Sequence, residues 1–487
     1  RLIQGGARTP AGVSPERRPI HVEDVMTALD PVLAEHLDAT QAARLESYFE
    51  FLRIPSISAL PEHAGDIRRA AEWIAAELAR IGFEHAEVSE TPWHPIVYAD
   101  WLHADGAPTV IVYCHYDVQP VDPIELWATA PFDPFVRDGR VIGRGAADDK
   151  GQLHMHLRAA EALFATRGRL PINLRIVFEG EEESTSASLP GWLEANRDRL
   201  GAEAVVISDT GFFAGNVPAL TETLRGMLYT QIDVVGTPTD LHSGSFGGAV
   251  ENPANALARI IGDLKDRDGR VLIPGFYDDV QPLDRAARER IAALGFDDEI
   301  FRATVAAGPL QGEVGFSVLE RIWTRPTLDV NGLWGGFQGE GSKTIIPAHA
   351  HAKVSMRLVA DQDPDALFEQ LRAYVAQVCP PGVTASVQLL GTGQQVRTPL
   401  DHPVTRAAAQ ALEATFGRAP VYIGAGGSIP VAAMFQDQLG LPVVLMGFTN
   451  PDDNAHAPNE SMVLANYETG IRTICVLWDA LGDGTSG

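Results

Sequence analysis

Four short runs of apolar residues, rich in β-branched side chains, recur along the chain, and helical patterns lie between them. The runs cover residues 109–114, 174–178, 204–207 and 443–446. They lack the alternation of a strand with one face in water, so helices are expected to cover both faces. Amphipathic patterns over residues 66–81, ended by Gly82, and over residues 150–167 supply such helices. This alternation predicts an α/β domain with a mostly parallel sheet.

A different pattern begins near Leu224, where apolar and polar residues start to alternate. Half-buried strands are predicted over residues 228–235, 352–359 and 384–390, with a helix over residues 365–378. After about Pro399 the first pattern returns, with a helix over residues 404–416. The sequence therefore predicts an α+β domain inserted into the α/β domain. The predicted segments are 1–21 (a disordered extension or a tag), 22–222 and 397–487 (the two parts of the α/β domain) and 223–396 (the insertion).

Composition narrows the classes of function. A chain of 487 residues exceeds the usual size of one hydrophobic core. The formal net charge of −26 argues against a nucleic-acid partner, and no apolar run is long enough to predict a membrane span. The three cysteines, Cys114, Cys379 and Cys475, argue against a disulfide framework and predict a cytoplasmic protein.

Side chains of the kinds that can bind metal ions follow each of the four predicted strands. In chain order these residues are His115 and Asp117, the triplet Glu181-Glu182-Glu183, Asp209 and His456, and Asp148 stands before a predicted helix. Ligand-binding sites in open α/β sheets lie in the crevice outside the carboxyl ends of the strands, so these residues are expected to meet in one crevice. Taken singly, each has a commoner structural explanation, such as a helix N-cap or a solvated loop. Together, two imidazoles and several carboxylates form a ligand set that Zn²⁺, Mn²⁺ or Co²⁺ accepts, and one carboxylate can bridge two ions.

Seven short motifs stand in order between about Gln41 and Leu481. They are His115-Tyr-Asp117, Gly143-Arg-Gly-Ala-Ala-Asp-Asp-Lys-Gly151, Glu179-Gly-Glu-Glu-Glu-Ser184, Ser208-Asp209, Asp240-Leu-His-Ser-Gly244, Gly426-Gly-Ser-Ile-Pro430 and Ala455-His456. With these motifs the sequence resembles the M20 metallopeptidases, most closely the branch of cytosolic non-specific dipeptidases and carnosinases. The resemblance implies a two-metal α/β catalytic domain with an inserted α+β lid and dimerisation domain.

The resemblance also implies a catalytic role for particular residues. The implied ligands of two divalent cations per subunit are His115 and Asp209 for one, Glu183 and His456 for the other, and Asp148 for both. Zn²⁺ is the first expectation, with Mn²⁺ or Co²⁺ as alternatives. Glu182 would be the general base on a metal-bridged water, and Asp117 would orient the His115 ring. The Asp148–Asp149 peptide bond is expected to be cis.

Further residues are implied in substrate binding. His242 would stabilise the developing oxyanion in the site of a partner subunit, which implies a homodimer. Arg357 would hold a substrate carboxylate, and Gly427 and Ser428 would line the substrate pocket. Each has a structural alternative, since Arg357 could pair with a surface acid and the motif around His242 could be a simple turn.

One departure from the resemblance concerns the substrate. Related dipeptidases often carry Arg-Glu-Gly-Gly before the Ser/Thr-Ile-Pro segment, whereas this chain has Gly424-Ala-Gly-Gly. A preference for a particular dipeptide is therefore not carried over.

Three functions remain open. The first is cleavage of dipeptides or short peptides, which the chain length and the wording of the motifs favour. The second is hydrolysis of N-acyl or N-succinyl amino acids by an amidohydrolase with the same two-metal site. The third is a metal-binding interaction protein without activity. The retention of Glu182, Asp117 and His242 argues against it, because none of them is an implied metal ligand.

Overall fold

Strands and helices alternate over most of residues 29–483, which are the residues that the computed structural model describes. The predicted extension or tag at residues 1–21 lies outside them. The helices are α1 (Pro31–Ala39), α2 (Gln41–Leu52), α3 (Ala64–Ile81), α4 (Lys150–Arg167), α5 (Leu189–Ala195), α6 (Ser243–Phe246), α7 (Pro253–Leu264), α8 (Arg285–Ala292), α9 (Asp298–Thr304), α10 (Val318–Thr324), α11 (Pro364–Val378), α12 (Pro403–Phe416), α13 (Pro430–Leu439) and α14 (Leu464–Asp483). The strands are β1 (Glu84–Ser89), β2 (Ile96–Trp101), β3 (Thr109–His115), β4 (Phe135–Arg137), β5 (Arg140–Ile142), β6 (Asn173–Glu179), β7 (Ala204–Ile207), β8 (Ala219–Leu224), β9 (Gly226–Val235), β10 (Leu241–His242), β11 (Thr327–Gly335), β12 (Ile345–Ile346), β13 (His349–Leu358), β14 (Thr384–Gly393), β15 (Val396–Arg397), β16 (Val421–Ala425), β17 (Val443–Leu445) and β18 (Ser461–Val463).

Nine strands form one large sheet, in the order β1-β2-β6-β3-β7-β17-β8-β15, with β16 beside β8. The four central strands, β6, β3, β7 and β17, run parallel to one another. Antiparallel pairs flank them, with β1 and β2 on one side and β8 and β15 on the other. The prediction of an α/β fold around a parallel sheet is confirmed, and the antiparallel flanks add to it.

Helices cover both faces of this sheet, as its uniformly apolar central strands require. The larger core, on one face of the sheet, receives side chains from helices α1 to α4, α12 and α14. On the other face pack the helices α5 and α13. The α4 helix has its predicted bounds and is buried almost all round, including the charged residue Lys150 at its first position. Its N-terminal end therefore lies deep in the molecule, next to the ends of the central strands.

The α3 helix shows how the sequence pattern becomes structure. Ile67, Ile74 and Leu78 are buried on the side that packs against β1 and β2. The helix ends at Gly82, whose φ of +120° lies in the left-handed region that favours glycine. The helix predicted over residues 66–81 is confirmed, and it begins slightly earlier.

The second sheet has four antiparallel strands, in the order β11-β13-β9-β14. The α7 and α11 helices cover one of its faces and share a separate apolar core with it. Along β13 every second side chain from Ala350 to Leu358 is buried, and those between are more accessible. The alternation predicted for residues 228–235 and 352–359, and the α+β character of this part of the chain, are confirmed.

The chain passes between the two sheets at two neighbouring places. Only Arg225 separates β8 of the large sheet from β9 of the small one, and residues 394 and 395 lead back from β14 to β15. The crossings touch, since a Cβ on Gly226 would lie 2.6 Å from the carbonyl oxygen of Gly393. The small sheet is thus inserted between strands of the large one. The segment boundaries predicted from the sequence stay a prediction. The β8 strand extends across the predicted boundary between residues 222 and 223.

None of the helices within residues 29–483 is both long enough and apolar enough to cross a membrane.

Candidate metal centre

The predicted ligands lie around the carboxyl ends of the central strands. His115 is the last residue of β3, and Asp209 follows β7. Glu183 lies in a short 3₁₀ turn after β6, and His456 lies in the loop between β17 and β18. Asp148 comes just before α4. Because the four central strands run parallel, these ends share one edge of the sheet, as the sequence predicted.

In the first group of candidate ligands, which consists of His115, Asp148 and Asp209, the imidazole of His115 is fully buried. His115 Nε2 lies 3.0 Å from Asp148 Oδ1 and 3.8 Å from Asp209 Oδ1. On the other side of the ring, Nδ1 lies 3.1 Å from the backbone oxygen of Asp117 and 3.4 Å from its Oδ1. A proton on Nδ1 is therefore held by Asp117, and this tautomer leaves the Nε2 lone pair for a metal ion.

The second group contains Asp148, Glu183 and His456. His456 Nε2 lies 2.8 Å from Asp148 Oδ2 and 3.2 Å from Glu183 Oε2. The two oxygens of Asp148 thus face different imidazoles, Oδ1 towards His115 and Oδ2 towards His456. In each group one ligand atom from every residue lies within 4.8 Å of the others. The peptide bond between Asp148 and Asp149 is cis, as the resemblance implied.

Protonation of the metal-free cluster follows from its many carboxylates. Burial opposes a charge on His115, but hydrogen bonds to the surrounding carboxylates raise its pKa well above the usual range. Hydrogen bonds to Asp148 and Glu183 raise the pKa of His456 to about 10. Burial raises the pKa of Asp209 to about 6. Both imidazoles therefore hold protons between carboxylates, at positions that divalent cations would take over.

The donor atoms fit a pair of divalent cations. Each group offers one imidazole nitrogen and carboxylate oxygens, the mixed set that first-row divalent ions accept. Glu183 Oε1 is buried without a hydrogen-bond partner among the described residues, although Oε2 of the same carboxylate accepts one from Gln119. A cation would satisfy this buried oxygen, since an unpaired buried carboxylate oxygen is costly.

Asp117 does more than hold the His115 ring. Its buried carboxylate also accepts hydrogen bonds from the backbone N–H groups of Glu182, at 3.2 Å, and Glu183, at 3.0 Å. Asp117 thereby ties the 3₁₀ turn after β6 to the end of β3. Burial and then the nearby Asp209 carboxylate raise the pKa of Glu182 well above its ordinary value. Glu182 is thus close enough to the ligand groups for the charges of their carboxylates to act on it.

Glu460 is a site residue that the sequence did not reveal. Its buried carboxylate accepts hydrogen bonds from the backbone N–H groups of Gly145 (3.0 Å), Ala147 (2.8 Å) and Asp148 (2.9 Å). Arg144 Nη1 donates a fourth, at 2.7 Å. Four donors on one carboxylate fix the turn that presents Asp148 to both ligand groups. The one sequence signal was its place shortly after the last predicted ligand, and nothing in the sequence linked it to that turn.

Gln119 and Asp149 were also missed. Gln119 Nε2 donates to Glu183 Oε2 at 2.7 Å. Asp149 is fully buried, and its Oδ2 accepts from the backbone N–H of His115 at 3.3 Å. Gln119 lies two residues after Asp117, and Asp149 directly follows Asp148. This closeness in the sequence was the only sign of their contacts.

The remaining predicted residues lie away from the ligand groups. His242 is exposed on β10, where its Nδ1 accepts a hydrogen bond from the backbone N–H of Gly244 at 3.0 Å. Arg357 lies on β13 of the small sheet, and its Nη1 is 3.5 Å from Ser428 Oγ. Gly427 and Ser428 line a cavity of about 290 Å³ that reaches Asp209. The structure therefore brings Arg357 close to Ser428 in the wall of this cavity, and it brings His242 to neither ligand group of its own chain.

Comparison with known proteins agrees with this geometry. The family model for "Peptidase family M20/M25/M40" matches residues 111–480, which is well over half of the chain and contains every predicted metal ligand. The chain belongs to the M20 peptidase family. The resemblance proposed from the motifs is thus confirmed.

Two curated relatives of this M20 peptidase match it over nearly their whole length. Cys-Gly metallodipeptidase dug1 of Schizosaccharomyces pombe is 32% identical over 87% of this chain and 92% of its own. Beta-Ala-His dipeptidase of Homo sapiens is 30% identical over 90% of each chain.

Solved structures share the fold of this M20 peptidase. The M20 family metallo-carboxypeptidase Sso-CP2 from Sulfolobus solfataricus has a TM-score of 0.78 and 34% identity, covering 90% of this chain and 99% of its own. The di-peptidase Dug1p from Saccharomyces cerevisiae has a TM-score of 0.76 and 28% identity, covering 93% and 98%. The similarity extends over both sheets.

Proposed function

We propose that this chain is a metal-dependent hydrolase that cleaves the peptide bond of dipeptides or short peptides. The observation that carries the proposal is the pair of ligand groups joined by Asp148 at the carboxyl ends of the central strands. Membership of the M20 family and similarity to two named dipeptidases over most of the chain support the choice of substrate.

Five side chains are proposed to hold two divalent cations per subunit, with Zn²⁺ first and Mn²⁺ or Co²⁺ as alternatives. His115 and Asp209 serve one ion, Glu183 and His456 the other, and Asp148 both. When bound, such ions polarise the scissile carbonyl group and lower the pKa of the attacking water. Asp117 and Glu460 act on the ligands, Asp117 by orienting the His115 ring and Glu460 by holding the backbone of Asp148.

Glu182 is proposed to move the proton during hydrolysis. It takes a proton from the attacking water while the water oxygen bonds to the carbonyl carbon. The bond between carbon and nitrogen then breaks, and Glu182 passes the proton to the departing amine. Burial and then the neighbouring Asp209 carboxylate raise the pKa of Glu182, so its carboxylate is a stronger base towards the proton of the attacking water.

Arg357 is proposed to bind the carboxylate of the substrate. It makes no ion pair with a carboxylate among the described residues, so the alternative of a structural surface pair has no support there. A planar guanidinium group suits a carboxylate, and the neighbouring Ser428 and Gly427 line the cavity that leads to Asp209.

A homodimer is proposed, with His242 acting in the site of the partner subunit. His242 is exposed and lies outside both ligand groups of its own chain, which is what such a role requires. The small sheet also exposes large apolar side chains on its edge strands, among them Leu333 on β11 and Leu389 on β14. Sedimentation at working concentration tests the dimer, and a monomer that is fully active would contradict it. A cytoplasmic location stays a prediction.

The first experiment combines the metal-reconstituted enzyme with a dipeptide library and with N-acetyl and N-succinyl amino acids. Dipeptide cleavage that is lost in chelator and in Glu182→Ala is the expected result. Cleavage of acyl amino acids alone would move the function to the amidohydrolases, and no turnover of any substrate would contradict the proposal.

A further inference from the structure

A second cluster of side chains that can bind metal ions lies at the opposite end of β6 from the candidate metal centre. Glu84 and His85 begin β1, Asp100 is near the end of β2, and His103 follows that strand by two residues. Asp100 pairs with Arg175, near the start of β6, whereas the ligand groups lie beyond the end of β6. The length of the sheet therefore separates these four side chains, which we call the edge cluster, from the proposed catalytic site.

The pairing of β1 with β2 brings three of the four side chains together. Glu84 is directly opposite Asp100, so their side chains share one face of the sheet. A regular strand would turn the next residue to the other face. The register shifts after Glu84, however, and His85 has a φ of +50°, with its Nδ1 2.7 Å from Asp100 Oδ1. One ligand atom from each of Glu84, His85 and Asp100 lies within 4.8 Å of the others.

Histidine is the positive partner in both ion pairs of the edge cluster. His103 Nε2 lies 3.0 Å from Glu84 Oε2, and His85 faces Asp100. An ammonium or guanidinium group would stay protonated and repel a metal ion, whereas an imidazole can give up its proton and become a ligand. Two imidazoles and two carboxylates are a mixed donor set that Zn²⁺ accepts. This composition distinguishes the edge cluster from an ordinary patch of acidic residues.

Asp100 is a fixed ligand atom in an otherwise accessible cluster. It is only 6% exposed, and its Oδ2 accepts a hydrogen bond from the Tyr98 hydroxyl at 2.8 Å, which leaves Oδ1 facing the imidazole of His85. Arg175 in turn donates to the Tyr98 hydroxyl at 3.0 Å. The other three side chains of the cluster are each more than half exposed. An ion can therefore reach the cluster from solvent and find one ligand already oriented.

We propose that the edge cluster is a further metal site, which binds one Zn²⁺ or a similar first-row divalent ion. Zn²⁺ bonds of about 2.0–2.2 Å place tetrahedral donor atoms roughly 3.3–3.6 Å apart, so small movements of the exposed side chains complete the site. The bound ion ties the irregular start of β1, at the edge of the large sheet, to β2. The proposal does not depend on the peptidase activity, because the edge cluster shares no residue with the other ligand groups.

Counting the bound zinc tests the site. The metal-free chain and its variants are dialysed against micromolar Zn²⁺, and the metal is measured by elemental analysis. His85→Asn and His103→Ala should each bind one ion per chain fewer than the unchanged protein. Asparagine tolerates the left-handed φ at position 85, and its amide is a poor zinc ligand.

His63→Ala is the matched control, because it removes a histidine that lies 2.7 Å from Asp66, outside the edge cluster. It should bind as many ions as the unchanged protein. Equal counts for the unchanged protein and either His85→Asn or His103→Ala would overturn the four-ligand site.

Hydrogen exchange in β1 tests what the ion does. With free Zn²⁺ at about ten times the dissociation constant, backbone amides that exchange through release of β1 should slow about tenfold in the unchanged protein. The same amides should not respond in His85→Asn, whereas its peptide cleavage should persist. Slowing by Zn²⁺ that is equal in both proteins would show adventitious binding elsewhere and would overturn the proposal.

Discussion

The two halves of the candidate metal centre are built from the same kinds of side chain but differ in burial and support. In the half around His115 the imidazole is fully buried, and both of its nitrogens have partners. In the half around His456 the imidazole is 55% exposed, and its close contacts run through Nε2. His456 also has a φ of +61°, in the left-handed region that side chains other than glycine rarely adopt. One half is thus part of the folded core, whereas the other depends on a surface loop.

One residue, Asp148, joins the two halves although they differ in burial. Asp148 contributes one oxygen to each half, and Glu460 fixes its backbone. The ion beside His115 is expected to bind more tightly because its ligands are preorganised by the core. The ion beside His456 is expected to exchange more readily.

The largest expected effect separates proton transfer by Glu182 from metal binding by the two halves. Glu182→Gln removes the proposed general base without removing a ligand, so kcat should fall about 10²- to 10⁴-fold. Both halves should keep their metal, as measured by elemental analysis after gel filtration. Loss of metal together with activity would mean that Glu182 belongs to one of the halves.

The next effect compares the two histidines in the metal-free protein. His115→Ala leaves buried carboxylates without their positive partner, and we expect a loss of about 3–5 kcal/mol in the free energy of unfolding. For His456→Ala we expect a smaller loss, because this imidazole is 55% exposed and solvent screens its contacts with the carboxylates. Urea unfolding in excess chelator measures both. His103→Ala, which removes an exposed histidine 3.0 Å from Glu84, is the matched control. Equal losses for the first two variants would abolish the distinction between the halves.

Glu460→Gln should affect both halves together. The amide keeps the shape but loses the charge and one acceptor oxygen, so the turn that presents Asp148 is held less well. We expect both metal affinities to fall about 10- to 100-fold, measured by competition with a metallochromic indicator. A loss confined to one half would show that Glu460 does not act through Asp148.

The smallest expected effect is the pH dependence of metal binding in the exposed half. His456 has a pKa of about 10 in the metal-free chain, so near pH 7 a cation must displace its proton. Affinity should therefore rise about tenfold per pH unit between pH 6 and 9, with one proton released. The same raised pKa stabilises the metal-free fold below the ordinary value of 6.5, and this contribution is lost as pH rises through about 10. Calorimetry in two buffers that differ in ionisation enthalpy counts the protons, and a count of zero would contradict the protonated imidazole.

The sequence predicted the ligand positions because they depend on strand ends. Uniformly apolar runs identified β3, β6, β7 and β17, and polar residues after such runs had to share one edge of a parallel sheet. The β1 strand escaped prediction because it is mostly accessible and its pairing with β2 is irregular.

Glu460 escaped prediction for another reason. Its partners Gly145 to Asp148 are more than 300 residues away along the chain, so only the tertiary structure brings them together. The departure at Ala425 was visible in the sequence, but its place in the cavity wall was not.

The contact between the two crossings of the chain, at Gly226 and Gly393, has a consequence for the history and engineering of this architecture. Because the small sheet and its helices enter and leave through adjacent positions, they form a cassette whose ends could be rejoined by a short turn. Excision or exchange of this cassette leaves the path of every strand in the large sheet unchanged. Exchange of the cassette would therefore replace Arg357 and the rest of β13 while keeping the strands that carry the candidate metal ligands.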